Sequence, residues 1–237
     1  MRLDVIGCSP AWPNAGGACS GYAVDGGLLL DCGPGVLAKL REREAWPSVT
    51  GIAITHLHLD HWGDLVPWVW GCLFGPGAAL PRPRLLLPHG ARETLGPLLA
   101  RLGSEDMLER AFEVDEYVDG VPFELAGLQL TALAVPHYDI PAHGFRVEGD
   151  RTLAYSGDCG PSDALADLAR DADLFLCEAT LDDGDADGPP RGHLSVGEAD
   201  EAFAASGARR MLLTHRPQER SLPDGHELAT DGLVVEL

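Results

Sequence analysis

The stretch Thr55-His56-Leu57-His58-Leu59-Asp60-His61 follows the short apolar run Gly51-Ile52-Ala53-Ile54. Imidazole nitrogens and carboxylate oxygens are donors that suit zinc, and also manganese or iron, so the first reading is a catalytic metal. On an extended segment the alternation of side chains turns His56, His58 and Asp60 to one side, and leaves His61 to serve a second ion. The bland alternatives are a histidine-rich surface loop or satisfied core histidines. Either would crowd four ionisable groups against an apolar strand, which is costly without a metal.

Something rigid must hold this loop, and the elements around it read as a mixture of strands and helices. Arg2–Ile6, Tyr22–Val24 and Leu28–Asp31 are expected strands, the last two joined by the hairpin signal Asp25-Gly26-Gly27. A short helix over 36–43 is expected next, then the metal loop, and then a helix capped by Asp64 that carries Leu65, Val66, Trp68, Val69 and Leu73. Of Trp62, Trp68 and Trp70, at least two are expected in the core. Residues 75–83 read as a loop, 84–87 as a strand and 91–102 as an amphipathic helix.

The second half repeats the mixture. Strands are expected at 112–117, 128–134, 144–148, 152–156, 174–177, 211–214 and 233–237, with a helix over 162–171. Ser195-Val196-Gly197-Glu198 has the form of a capping box for a helix ending near Ser206. Two histidines and an aspartate then stand at strand ends: His137 after Leu133–Pro136, Asp158 after Tyr155-Ser156-Gly157, and His215 after Leu212-Leu213-Thr214. Such places let a scaffold present side chains to a shared cleft.

The totals set bounds. A chain of 237 residues, 45% hydrophobic, can fill a substantial core, and the expectation is one domain spanning 1–237. Met1-Arg2-Leu3-Asp4-Val5-Ile6 is broken by charge, unlike a signal peptide. No apolar stretch approaches the roughly 20 residues that cross a bilayer. The expected setting is the cytoplasm, with no membrane partner. Six cysteines without a C-x-x-C pair read as free buried thiols. A net charge of −20 repels polyanions at long range, so nucleic acid is disfavoured as a partner.

The run His56-Leu57-His58-Leu59-Asp60-His61 resembles the H-x-H-x-D-H signature of the metallo-β-lactamase superfamily. That resemblance implies an α+β fold, a four-layer αββα sandwich with one or two metals at its edge. It further implies that His56, His58 and His137 hold one divalent ion, that Asp60, His61 and His215 hold the other, and that Asp158 bridges them. Because His58 is a histidine, the ligand set resembles the hydrolytic members more than the oxidoreductases. Zinc is the first expectation for both ions, with manganese or iron as alternatives.

Within the superfamily, Pro136-His137 to Val147, Cys177-Glu178-Ala179-Thr180, Gly192-His193-Leu194-Ser195 and Leu213-Thr214-His215 are similar to ribonuclease Z and its smaller phosphodiesterase relatives. The resemblance implies a catalytic trio of Asp60, His193 and Glu178. His193 is the general acid for the leaving alkoxide, Glu178 orients its ring, and Asp60 aligns the nucleophile, a hydroxide bridging two metals that lower its pKa. Two departures stand out. Cys177 takes the place of a histidine in the ribonuclease Z loop, and only 20 residues lie between His137 and Asp158, where ribonuclease Z commonly inserts a long tRNA-gripping arm.

The expected function is therefore hydrolysis of a small, cyclic-nucleotide-like phosphodiester. The rivals are a tRNA 3′-processing endonuclease, a carbon ester, thioester or lactam hydrolase, and a metal-binding protein without turnover. The family resemblance also implies a homodimer. Arg146 and Arg216 are candidates for binding phosphate, with ordinary ion pairing as the plainer expectation. His143 is a candidate pocket residue, and His89 and His226 are expected at the surface.

Overall fold

The computed structural model describes residues 1–103, 106–183 and 187–237. Its strands are β1 (Arg2–Gly7), β2 (Gly21–Val24), β3 (Leu28–Leu30), β4 (Gly51–Ala53), β5 (Arg84–Leu87), β6 (Glu113–Glu116), β7 (Phe123–Leu125), β8 (Leu128–His137), β9 (Ile140–Glu148), β10 (Thr152–Tyr155), β11 (Leu174–Glu178), β12 (Met211–Thr214) and β13 (Val234–Glu236). The helices are α1 (Val36–Arg41), α2 (Leu59–Trp62), α3 (Leu65–Phe74), α4 (Ala91–Arg101), α5 (Met107–Ala111), α6 (Ala164–Leu168) and α7 (Val196–Ser206).

The strands form two mixed sheets, one ordered β13-β1-β2-β3-β4-β5-β6 and the other β12-β11-β10-β9-β8-β7. Strand alternation explains how they stack. In β3, Leu28 and Leu30 face one apolar cluster and Leu29 another; in β5, Leu86 faces inward while Leu85 and Leu87 face out. Strands buried on both faces read as unbroken apolar runs, and these do. The inner cluster joins Leu30, Tyr22 and Leu86 of the first sheet to Phe145, Leu153, Leu176 and Leu212 of the second. The outer face of the first sheet carries α1, α3, α4 and α5 through Leu40, Trp68, Leu95 and Leu108. Phe175, Cys177 and Leu213 carry α6 and α7 on the second. Three apolar interfaces separate four layers, the αββα sandwich.

Several local expectations are corrected. Residues 59–62 form the helical turn α2, so the alternation of an extended strand stops at His58 and Asp60 projects from a helix. Asp64 makes no side-chain cap to α3; its Oδ2 instead accepts from the Leu37 N–H at 2.8 Å, tying α3 to the start of α1. The helix expected over 162–171 is only Ala164–Leu168, and β7 and α5 were not foreseen. The capping box at Ser195 and Glu198 is formed in both directions. Trp62 and Trp68 are core residues and Trp70 is exposed. All six cysteines are free, and five of them are buried.

Candidate metal centre

The site lies along one edge of the sandwich, where parallel strands of both sheets deliver their C-terminal ends. β4 runs into the loop bearing His56 and His58 and then into α2, with Asp60 and His61. From the second sheet come His137 at the end of β8, Asp158 just beyond β10, Glu178 at the end of β11 and His215 just beyond β12. Close approach is needed to bring these loops together. Gly33, after β3, has no room for a side chain, since a Cβ there would stand 1.9 Å from the Asp60 carbonyl oxygen.

Two groups of candidate ligand atoms result, each with its members within 4.8 Å of one another: His56, His58 and His137, and Asp60, His61, Asp158 and His215. Asp158 Oδ2 lies between them, 3.9 Å from both His56 Nε2 and His137 Nε2, and 3.2 and 3.4 Å from His61 Nε2 and His215 Nε2. Asp60 Oδ2 is 3.4 Å from His61 Nε2 and 3.2 Å from His215 Nε2. All seven residues expected as ligands therefore converge.

The histidine rings are fixed from behind. His61 Nδ1 donates to Asp31 Oδ2 at 2.7 Å, and His137 Nδ1 donates to the Gly192 carbonyl at 2.6 Å. Thr55 Oγ1 donates to Asp31 and accepts from His56 Nδ1 at 3.0 Å; Thr180 Oγ1 donates to Glu178 Oε2 and accepts from His215 Nδ1 at 2.8 Å. With each Nδ1 bonded outward, this network turns the Nε2 of all four rings inward, toward the shared space. His58 differs, turning Nδ1 inward, 2.9 Å from His137 Nε2.

The residues present fit divalent cations on structural grounds. His56 Nε2, His61 Nε2 and Asp158 Oδ1 are buried without a hydrogen-bond partner, an arrangement that costs about 1–3 kcal/mol per group unless something satisfies it. Burial holds His56, His58 and His137 below the usual imidazole range, in the neutral form a metal requires. Burial alone would raise both carboxylates, but His215 and His61 outweigh it and hold Asp60 and Asp158 low and ionised. His61 is the exception. Burial disfavours its charge, yet Asp158 and Asp31 overcome that and raise it well above the usual range.

His193 stands at the rim, its ring 5.1 Å from that of His137 and 5.5 Å from that of His215. Its Nδ1 is 2.9 Å from Glu178 Oε1. Burial pulls the imidazolium down, but the Glu178 carboxylate more than compensates, and the ring is pushed up to about 9. Glu178 and His193 also fall into triads compact enough to hold an ion. Glu178 is nevertheless already saturated, accepting from Cys159 N, Thr180 N, Thr180 Oγ1 and Leu194 N as well as from His193. Its carboxylate fixes the His193 ring from the Nδ1 side.

Other candidates settle differently. Arg146 is spent on Glu148 and on the Leu168 and Arg170 carbonyls, and Arg216 is buried against the Ala179 and Leu181 carbonyls and Asp182, so neither offers its charge to the site. His143 is buried edge-on to Tyr117. His89 is exposed, and His226 is partly covered and pairs with Asp200. Cys177 points into the layer beneath α6 and α7, so the departure from histidine there leaves the site untouched.

Sequence reasoning missed Asp31, Thr180, Tyr155 and Tyr138. Asp31 is fully buried with a left-handed φ of 58°, and it takes Thr55 N, Thr55 Oγ1, His61 Nδ1 and the Tyr155 hydroxyl. A carboxylate ending the unbroken apolar run Leu28-Leu29-Leu30 was the available signal. Tyr138 has a φ of 49° and its ring is 4.9 Å from His137 and 5.7 Å from His193; its place directly after His137 was the available signal.

Known proteins align with this geometry. A family model described as the beta-lactamase superfamily domain matches residues 27–216. An uncharacterized protein of Mycobacterium leprae, ML1173, is 36% identical over 94% of this chain and 80% of its own length. YhfI of Bacillus subtilis, named a probable metallo-hydrolase, is 29% identical over 92% of this chain and 87% of its own. The YhfI crystal structure superposes with a TM-score of 0.84, covering 99% of this chain and 98% of that one. Human tRNase Z, short form, superposes at 0.78 with 26% identity, covering 100% of this chain and 99% of that one. All seven converging residues fall inside the matched span, and this chain belongs to the beta-lactamase superfamily.

Proposed function

We propose that the protein is a two-metal phosphodiesterase that hydrolyses a small, cyclic-nucleotide-like phosphodiester. His56, His58 and His137 would hold one divalent ion and Asp60, His61 and His215 the other, with Asp158 shared, and zinc is the proposed metal. Ions bound there supply Lewis acidity, lowering the pKa of water and offsetting phosphate charge. The observation that carries the reading is the His193–Glu178 pair at the rim of the ligand cluster. As a water oxygen adds to phosphorus and the P–O bond to the leaving alkoxide breaks, that alkoxide needs a proton. His193, kept protonated by Glu178, is built to give it. Hydrolysis of carbon esters or lactams has less need of such an acid.

A small substrate is supported by the chain between His137 and Asp158. It is used up by β9 and β10, with β8 and β9 paired continuously from Gln129–Glu148 to His137–Ile140. No room is left there for an inserted RNA-gripping arm. The net charge of −20 supports the same choice. A cytoplasmic location and a homodimer belong to the same proposal, the latter to be read from the mass in solution.

The test is turnover of metal-loaded protein on cyclic AMP beside a precursor tRNA with a 3′ trailer, with Asp60→Ala as the control for contaminants. Cleavage of the cyclic nucleotide alone is expected. Trailer removal would make the protein a tRNA-processing enzyme without an arm, and silence on both would abandon phosphodiester hydrolysis.

A further inference from the structure

Beside the metal centre is a cavity of about 380 Å³ lined by Leu57, His58, Pro88, Ala91, Thr94 and Ile140, among others, at the same strand edge. Its size lies within the ~300–1,000 Å³ usual for small-molecule sites. Pro88 and Ala91 form a buried floor, Leu57 and Ile140 half-buried walls, and Thr94 and Pro141 an exposed rim. His58 belongs to both places, lining the cavity and turning Nδ1 toward His137. The cavity therefore opens beside the His56, His58 and His137 group.

We infer that the cavity is a nucleobase subsite: the substrate is a nucleoside phosphodiester whose base lies between Leu57, Pro88 and Ile140 while its phosphate meets the metal ligands. The inference rests on the phosphodiesterase reading and adds the place and orientation of the base. The walls are apolar, and the two prolines are rigid, which suits a flat group that loses little freedom on binding. A flexible acyl chain would be served better by a narrow, closed channel than by a broad cleft with an exposed rim. Apart from the exposed ring of His89, which faces Glu116 through Nδ1 at 3.3 Å, the polar groups of the loop are already engaged. The Gly90 and Arg92 N–H groups donate to Glu116, the Ala91 N–H to the Pro88 carbonyl, and Thr94 Oγ1 to the Gly90 carbonyl. With few free donors or acceptors to read a base edge, the site tolerates different bases.

The test compares cyclic AMP with the base-free 3′,5′-cyclic phosphate of ribose, and measures adenosine binding by calorimetry, in the wild type, in Thr94→Trp, which fills the mouth from an exposed position, and in Ile140→Ala, which removes a wall. The wild type is expected to favour cyclic AMP in kcat/KM by about tenfold or more. Both variants should reduce that ratio, chiefly through KM, and weaken adenosine to match. Equal kcat/KM for the two substrates with no adenosine binding would overturn the base subsite while leaving phosphodiester hydrolysis standing. Binding of octanoate in place of adenosine, lost in Thr94→Trp, would also overturn it and assign the cavity to an acyl chain. Adenosine binding that depends on Thr94 and Ile140 without any phosphodiester cleavage would keep the base subsite and refute the phosphodiesterase reading.

Discussion

Asp158 and His193 differ in what surrounds them, and substitution should separate their roles. Asp158 Oδ2 stands among four imidazole nitrogens within 3.9 Å, so Asp158→Ala is expected to lose metal and activity together, read by metal content and turnover. His193→Ala should keep its metal and lose about 10²–10⁴-fold in kcat on alkoxide leaving groups, with much less loss on p-nitrophenolate. Equal loss on both would refute the general-acid role. A pH profile probes the pair further. A general acid works below its pKa and fails above it, so raising His193 to about 9 places the alkaline limb of kcat/KM near there. In Glu178→Gln that limb should fall toward the ordinary imidazole pKa of ~6.5. At this scale the convergence of the seven candidate residues was legible because histidine and aspartate at strand ends are few and conspicuous. Thr180 was not, because what marks it is contact with His215 far along the chain. Asp31→Asn weakens the acceptor behind His61 and Thr55, and should lower metal affinity by about 10–100-fold, measured by chelator competition.

Among the elements, the tip of the β8–β9 hairpin and the loop leading to α7 hold the two sides of the site against each other. Gly192 accepts from His137 Nδ1 through its carbonyl, while its own N–H and that of His193 donate to Asp187 Oδ2 at 2.8 Å. Arg191 fixes this loop to Asp187 and, through both terminal nitrogens, to Glu198 of the capping box. The Tyr138 ring lies so close that a Cβ on Gly192 would come within 2.3 Å of it. Gly192→Ala must therefore displace either the tyrosine or the loop. It should lower kcat by misplacing His193 while metal content stays near that of the wild type; unchanged kcat with an intact loop would contradict this account. Sequence pattern reached the strands and α7 because apolar runs and the Ser195–Glu198 box are local signals. It missed the placement of Asp60 because four residues of α2 are too short to show a helical period, and it missed β7 because Phe123–Leu125 becomes a strand only by pairing with β8.

Across the whole molecule the centre joins the two sheets, and metal should therefore govern stability as well as chemistry. Asp31, beyond β3 of one sheet, accepts from Tyr155 of β10 in the other, and His61 and Thr55 bond to the same carboxylate. The Tyr22 and Thr214 hydroxyls, also from opposite sheets, lie 2.6 Å apart. The inner apolar cluster provides the adhesion, but at this edge the layers meet through polar and charged groups, some left without partners. A cation that binds only the folded state at a thousand times its Kd adds about 4 kcal/mol. In a chain of this size each kcal/mol moves Tm by about 2–4 °C, so chelation is expected to lower Tm by ~8–16 °C and readdition of zinc to restore it. Asp158→Ala should melt at one temperature with or without zinc, since the shared position is gone. If the wild type melts identically in both conditions, the polar edge is self-sufficient and the ligand cluster contributes nothing to holding the sheets together.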